Sequence, residues 1–213
     1  MATKTTVASA DTWLDNTNAT SNFGGNNDFY VGEYDSGSQT ARALIKWDFA
    51  TDFATELGQG YIQVNSVTVD LVSLGDLSSN TRTGRFYRVL RAWTEGGATW
   101  NKYDGTNDWG TAGAAASSDR ETSDVGSYSF NATNTSGTTN TITLTASAVE
   151  QMINGTFTNN GFLLKMDSEI DDMQRFHSSE HATSANRPEI NIDYTIVPRG
   201  GSPMLFGGGV TIA

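Results

Sequence analysis

Five side chains have the charge to hold an anionic ligand: Arg42, Lys46, Lys165, Arg175 and His177. Each lies in a segment that alternates like a β-strand, and two-residue spacing returns a side chain to the same strand face. Arg42 and Lys46 therefore share one face, and Arg175 and His177 share another. If the strands are neighbours, the five build a positive groove on an otherwise acidic chain. Such a groove suits a polymer of uronic acids, because Arg and Lys pair with carboxylates through charge-assisted hydrogen bonds. The plainer reading is that these cations neutralise Asp48, Glu169 and Glu180 in surface pairs, each contributing about 0–1 kcal/mol.

Other chemistry is poorly provided for. His177 and His181 are the only histidines, four residues apart, in a segment that reads as strand and loop. That spacing suits zinc on a helix, but nothing here makes a helix and no His-Glu-x-x-His accompanies it, so no metal ligands are assigned. The chain has no Cys, which excludes thiolate nucleophiles, zinc ribbons and iron–sulfur clusters. No Gly-x-Ser-x-Gly elbow is present, and no motif selects a catalytic pair from the 24 acids. The expectation is a protein without catalytic residues and not an enzyme. The run Asp167, Glu169, Asp171, Asp172 offers oxygens to Ca²⁺, but the Gly of an EF-hand loop is missing and a solvated turn is the preferred reading. No other cofactor is expected.

The elements that must position these groups are strands. Hydrophobic residues make up 37% and charged residues 17% of the 213, with Thr, Ser, Asn and Gly filling the difference. Alternation marks Arg42 to Phe49, where Ala43, Ile45, Trp47 and Phe49 face opposite Arg42, Leu44, Lys46 and Asp48. Similar runs cover 29–34, 64–74, 84–93, 125–130, 140–145, 161–167, 173–178 and 189–197. One short helix is expected over Ala146 to Ile153, stopped by Asn154-Gly155. About ten strands without long helices between them predict an all-β fold, an antiparallel β-sandwich of jelly-roll type. Residues 1–197 read as that domain and 198–213 as a Gly-rich apolar tail.

Net charge of −11 argues against a nonspecific grip on nucleic acid, and no apolar run is long enough for a membrane-spanning helix. The amino terminus lacks the apolar stretch of a secretory signal, and Met1 favours a chain that does not use that export route.

Five segments in order resemble the DNRLRE-domain family, which overlaps carbohydrate-binding modules first associated with alginate. They are ADTWLD (10–15), RALIKWDF (42–49), YRVLRAWTEGGATWN (87–101), GFLLKMD (161–167) and the closing run 175–194 with RFHSSE and NRPEINIDY. The resemblance implies a β-sandwich without catalytic machinery, usually appended to secreted polysaccharide-degrading enzymes or surface proteins. Within it, Gly96-Gly97 permits a tight turn that brings Trp93 and Trp100 together over one end of the core, with a sugar-stacking platform as the alternative. Arg187 is expected to cap a sheet end or pair with Glu180, and Pro188 to start a strand.

The tail departs from the family pattern. Met204, Leu205, Phe206, Val210 and Ile212 are apolar among flexible glycines, so something must cover them. Insertion into a partner subunit of an assembly is preferred over folding back. These features predict a structural or adhesive protein on a virion surface, decorating a phage particle and possessing some glycan affinity. The alternative is a secreted, extracellular carbohydrate-binding module that binds acidic polysaccharide.

Overall fold

A computed structural model describes residues 1–34, 38–77, 80–131 and 135–199. Along the chain run β1 (Ala2–Val7), β2 (Ala10–Asp15), β3 (Asp28–Tyr34), β4 (Gln39–Lys46), α1 (Phe49–Asp52), α2 (Ala54–Gln59), β5 (Gly60–Asp76) and β6 (Arg82–Arg88). Then come β7 (Gly126–Phe130), β8 (Thr139–Leu144), α3 (Ala146–Ile153), β9 (Phe162–Met166), β10 (Asp172–His177) and β11 (Glu189–Pro198). The five apolar tail residues Met204, Leu205, Phe206, Val210 and Ile212 lie outside the described residues. Among the described residues no helix is long and apolar enough to cross a membrane.

The expected β-sandwich of jelly-roll type is not what forms. The sheet closes on itself: β5, β10, β3, β4, β9, β6, β7 and β8 follow one another, and β8 pairs back onto β5. The result is an eight-stranded antiparallel barrel, with β1 and β11 added beside β5 and β2 added beside β4. The cause is β5, a strand of 17 residues. Its residues 67–72 pair with β8, while beyond the corner Ser73, Gly75 and Asp76 pair with β10. One strand thus joins what would otherwise be two layers. Gly75 at the corner has φ +125°, a backbone state open to glycine. Alternation over 64–74 reveals a strand but not that it bends and changes partners.

Inward-pointing residues fill the ring at period two: Ala41, Ala43 and Ile45 of β4, Phe162, Leu164 and Met166 of β9, and Val67, Val69 and Leu71 of β5. Aromatic rings interlock across it, with Phe176 5.5 Å from Phe29 and 5.2 Å from Phe130. Helix α3 closes one end with Ala148, Val149, Met152 and Ile153. Its stop residue does more than end it, since the Asn154 amide exchanges hydrogen bonds with the backbone N–H and C=O of Ile62 at 2.9 and 2.7 Å.

A second, smaller core lies outside the barrel. Leu14, Leu44 and Leu163 face outward from β2, β4 and β9 and are covered by Val89, Trp93, Ala98, Trp109 and Ala114 from the long β6–β7 connection. That connection therefore forms a lobe packed on the barrel wall. Trp93 is buried there, on the barrel wall, and donates to the Asn160 carbonyl at 2.7 Å. Trp100 is only partly buried.

The barrel seam between β7 and β8 rests on a single pair, Gly126 with Leu144. A Cβ on Gly126 would stand 2.6 Å from both Leu144 Cδ2 and the Thr143 carbonyl oxygen. Gly126→Val is expected to lower unfolding free energy by about 1–3 kcal/mol, the range for overpacking a filled site. Amide exchange in β7 should accelerate before that in β5. Equal exchange in both strands would mean the seam does not depend on this contact.

Candidate functional site

The cationic residues singled out in the sequence separate into three places. Arg42 and Lys165 come together. Ala43 pairs with Leu164 across β4 and β9, so Arg42 and Lys165 are the next outward-facing positions on adjoining strands. The Arg42 guanidinium grips Glu169 with two bonds of 2.7 and 2.8 Å and donates to the Gly113 carbonyl at 2.6 Å. It also lies over the Trp100 ring, 5.0 Å from its centre. Lys165 stands 3.9 Å from the same carboxylate. Lys46, at the far end of β4, lies over Trp93 at 5.7 Å. Arg175 and His177 belong to another face, where Arg175 holds Asp28 at 2.6 Å and His177 approaches the His181 ring.

Two members of the first group escaped the sequence argument. Arg85 of β6 is the register partner of Lys165, which extends the row to a third strand. Arg120 reaches in from the lobe, 4.3 Å over Tyr87, with its Nε buried and unbonded. Alternation over 84–93 already placed Arg85 opposite the inward Phe86, so its outward direction was legible. Arg120 sits in irregular chain and gave no signal.

This patch has more positive charge than its counter-ions cancel. Arg85 has only loose partners, Asp124 at 3.4 Å and Asp167 at 3.9 Å. Burial pushes the Lys165 ammonium below the usual lysine range, and Arg42 and Arg120 push the same way, with Glu169 and Asp167 opposing. A carboxylate docked between Lys165 and Arg85 would relieve that strain.

The acidic run resolves into separate roles. Glu169 serves Arg42, the Asp167 carboxylate accepts from Ser168 N–H at 2.8 Å, and Asp171 turns the chain at φ +47° while its N–H bonds Glu33. Among the described residues no group of three or more His, Cys, Asp or Glu is arranged to hold a metal ion. Arg187 does not pair with Glu180 but donates to the His181 carbonyl at 2.8 Å.

The lobe also shapes a cleft of about 710 Å³ whose lining includes Asn22, Asn101, Lys102, Asp108, Trp109 and Thr111. Separately, three carboxylates, Asp11, Glu95 and Glu180, lie close enough to repel one another. Asp11 accepts from Ser179 N–H at 2.6 Å, Glu95 accepts from Asp11 N–H at 2.8 Å, and Glu180 keeps one oxygen buried without a partner. Burial first, then Glu180 and Glu95, pushes the Asp11 carboxyl up to about 8. A strongly perturbed acid often marks a reaction centre. Asp11 is only 1% exposed, however, so its proton is sealed from any substrate.

Residues 2–194, the barrel and its added strands as far as the middle of β11, match the model of carbohydrate-binding module family 96. The chain belongs to that family. No curated protein matches it. Membership in family 96 makes this a carbohydrate-binding module and favours the second of the two functional expectations over decoration of a virion.

Two outcomes follow from this geometry. Arg42→Ala should cost about 3 kcal/mol in chemical unfolding, because it strands a largely buried Glu169. A loss under about 1 kcal/mol would show that the pair does not anchor the lobe. For Asp11, a raised folded-state pKa means stability is present at low pH and is lost as pH rises from about 4 to 8. Asp11→Asn should therefore gain on the natural chain between pH 5 and 8, by on the order of 1 kcal/mol per unit. Parallel melting curves over that range would refute a protonated Asp11.

Proposed function

We propose that this family 96 module binds an acidic polysaccharide, a uronic-acid polymer of the alginate type, on the outward face of β4, β9 and β6. The observation that carries the reading is the row Arg42, Lys165, Arg85, one cation on each of three successive strands. Neighbouring strands are about 4.8 Å apart, a spacing on the scale of a single sugar ring. Carboxylates on successive or alternate residues of an extended chain meet the row in turn. Arg85 supplies a planar fork for a carboxylate, Lys165 a point charge, and Arg120 a further cation at the lobe edge. Arg42, already committed to Glu169, works mainly as the fixed end of the row.

The acidity of the rest of the molecule supports selectivity. A chain of net charge −11 repels polyanions that lay down charge broadly, so only a ligand whose carboxylates fit the local row is retained. Lys46, Arg175 and His177 stand apart from this row, and binding by them would be through contacts at the ends of a longer polymer.

Affinity electrophoresis in gels containing alginate tests the proposal. The natural chain should be retarded, and retardation should weaken as salt rises from 20 to 300 mM because exposed charges are screened over about 8–10 Å near physiological ionic strength. Arg85→Ala with Lys165→Ala should reduce affinity at least tenfold and leave the melting temperature nearly unchanged. Gels containing a neutral glucan should not retard either protein. Equal retardation of the natural chain and the double variant would sink the assignment.

A further inference from the structure

Of the two glycines in the Gly96-Gly97 turn, packing explains only one. A Cβ on Gly97 would stand 2.5 Å from the Asp104 carbonyl oxygen and from Thr94 Oγ1. A Cβ on Gly96 would meet nothing within 4 Å, and its φ lies outside the left-handed region that favours glycine. What Gly96 borders is the lobe cleft of about 710 Å³, a volume within the roughly 300–1,000 Å³ of ligand sites.

The lining of this cleft is polar without net charge. Lys102 is matched by Asp108 at 2.8 Å and by the Thr106 carbonyl at 2.7 Å. Trp109, its indole N–H held by the Thr99 carbonyl at 2.9 Å, makes a firm wall. Among the described residues the Asn101 amide and the hydroxyls of Thr20 and Thr111 have no hydrogen-bond partner. Amides and hydroxyls offer donors and acceptors together, which is what sugar hydroxyls also offer.

The cleft adjoins the fixed end of the cation row. Residues 109–113 run beside Trp100 and Asn101, with the Trp109 N–H on the Asn101 carbonyl at 3.1 Å and the Gly113 N–H on the Trp100 carbonyl at 2.6 Å. At the end of this segment the Gly113 carbonyl accepts from Arg42, while its neighbours Ala112 and Thr111 line the cleft. The segment therefore raises no bulky side chain between Arg42 and the cleft.

We infer that the lobe cleft is a subsite for the same polymer and binds the hydroxyls of the sugars that continue beyond Arg42. This rests on the uronic-acid reading of the row and extends it. The three positions of the row take about three sugars at a strand spacing of about 4.8 Å, so a chain of six reaches past Arg42 into the cleft. The row contributes charge and the cleft contributes hydrogen bonds. Joined through one ligand, the second contact is intramolecular and tightens binding, whereas alone it is a weak site that does not hold a neutral glucan.

Calorimetry at pH 7.5 with the sodium salts of an alginate trisaccharide and an alginate hexasaccharide tests the subsite. The natural chain should bind the hexasaccharide at least about thirtyfold more tightly than the trisaccharide. Gly96→Leu adds a side chain beside the cleft where a Cβ meets no atom. It should bind the trisaccharide as the natural chain does and keep only about a fourfold gain with length, the number of registers six sugars have on a three-sugar row. Asn101→Ala, which leaves the backbone bonds in place, should lose part of the gain as well, and neither variant should change the melting temperature. A full gain with length in both variants would overturn the subsite and leave the row standing, and so would a natural chain whose own gain is only fourfold. Trisaccharide binding unchanged by Arg85→Ala with Lys165→Ala would instead count against the row, whereas a Gly96→Leu loss confined to the hexasaccharide would still support the cleft.

Discussion

The Arg42 guanidinium holds three parts of the molecule at once. Its two bonds to Glu169 fix the turn between β9 and β10, its bond to the Gly113 carbonyl fixes the lobe, and its face covers Trp100. Gly113 has no Cβ because one there would stand 2.7 Å from the Trp100 ring and 2.9 Å from Arg42 Nη1. A largely buried ion pair is a weak source of stability, since desolvation offsets much of the attraction. Its value here is positional. A lysine would have one point charge for three acceptors, whereas the planar fork satisfies a bidentate carboxylate and a carbonyl together. With Arg42 fixed, Lys165 shares a carboxylate already in use, and that leaves the row with cationic charge to spare.

How much of this was readable beforehand depends on the range of the information. Alternation is local, and it located the body of β4, β9 and β10 and the face that Arg42 shares with Lys46. The helix from Ala146 to Ile153 was legible for the same reason, through a four-residue apolar stripe and the Asn154-Gly155 stop. Closure was not legible, because it depends on β5 exchanging β11 for β10 within a few residues while keeping β8. A strand that switches partner reads the same as one that keeps it. Strand β1 was missed since Thr3, Thr5 and Thr6 give a polar edge with little contrast between its faces. The lobe was legible only in its run over 84–93 and its tryptophans, because Val89, Trp93, Ala98, Trp109 and Ala114 bury a core there without periodicity.

The same limit governed the candidate site. Charge type and face were available from the sequence, but the choice between groove and ordinary pairs was not, because it turns on which counter-ion each cation meets. Arg175 meets Asp28 and is matched, whereas the carboxylates nearest Arg85 and Lys165, Asp124 and Asp167 for the one and Glu169 for the other, lie at 3.4 to 3.9 Å. Arg120 joins from irregular chain that only the lobe's packing brings near. Sequence patterns report which face a residue takes; they do not report the company it keeps.

Closure of the barrel bears on recognition. In an open sandwich an outward row on edge strands can shear as the edges fray, while in a closed ring each strand of the row is hydrogen-bonded on both sides. Strand β9 sits between β4 and β6 in this way, with its inner face filled by Phe162, Leu164 and Met166. The cations above it therefore spend little conformational entropy when a ligand arrives, since their backbone is already fixed. The Arg85 guanidinium, with its looser and more exposed partners, is the end that the proposed reading leaves free to exchange one carboxylate for another, whereas the Lys165 ammonium is held by the Met166 carbonyl at 2.9 Å. Under the proposed reading, a rigid floor with an exchangeable charge favours capture and release along a repetitive polymer over permanent attachment at one point.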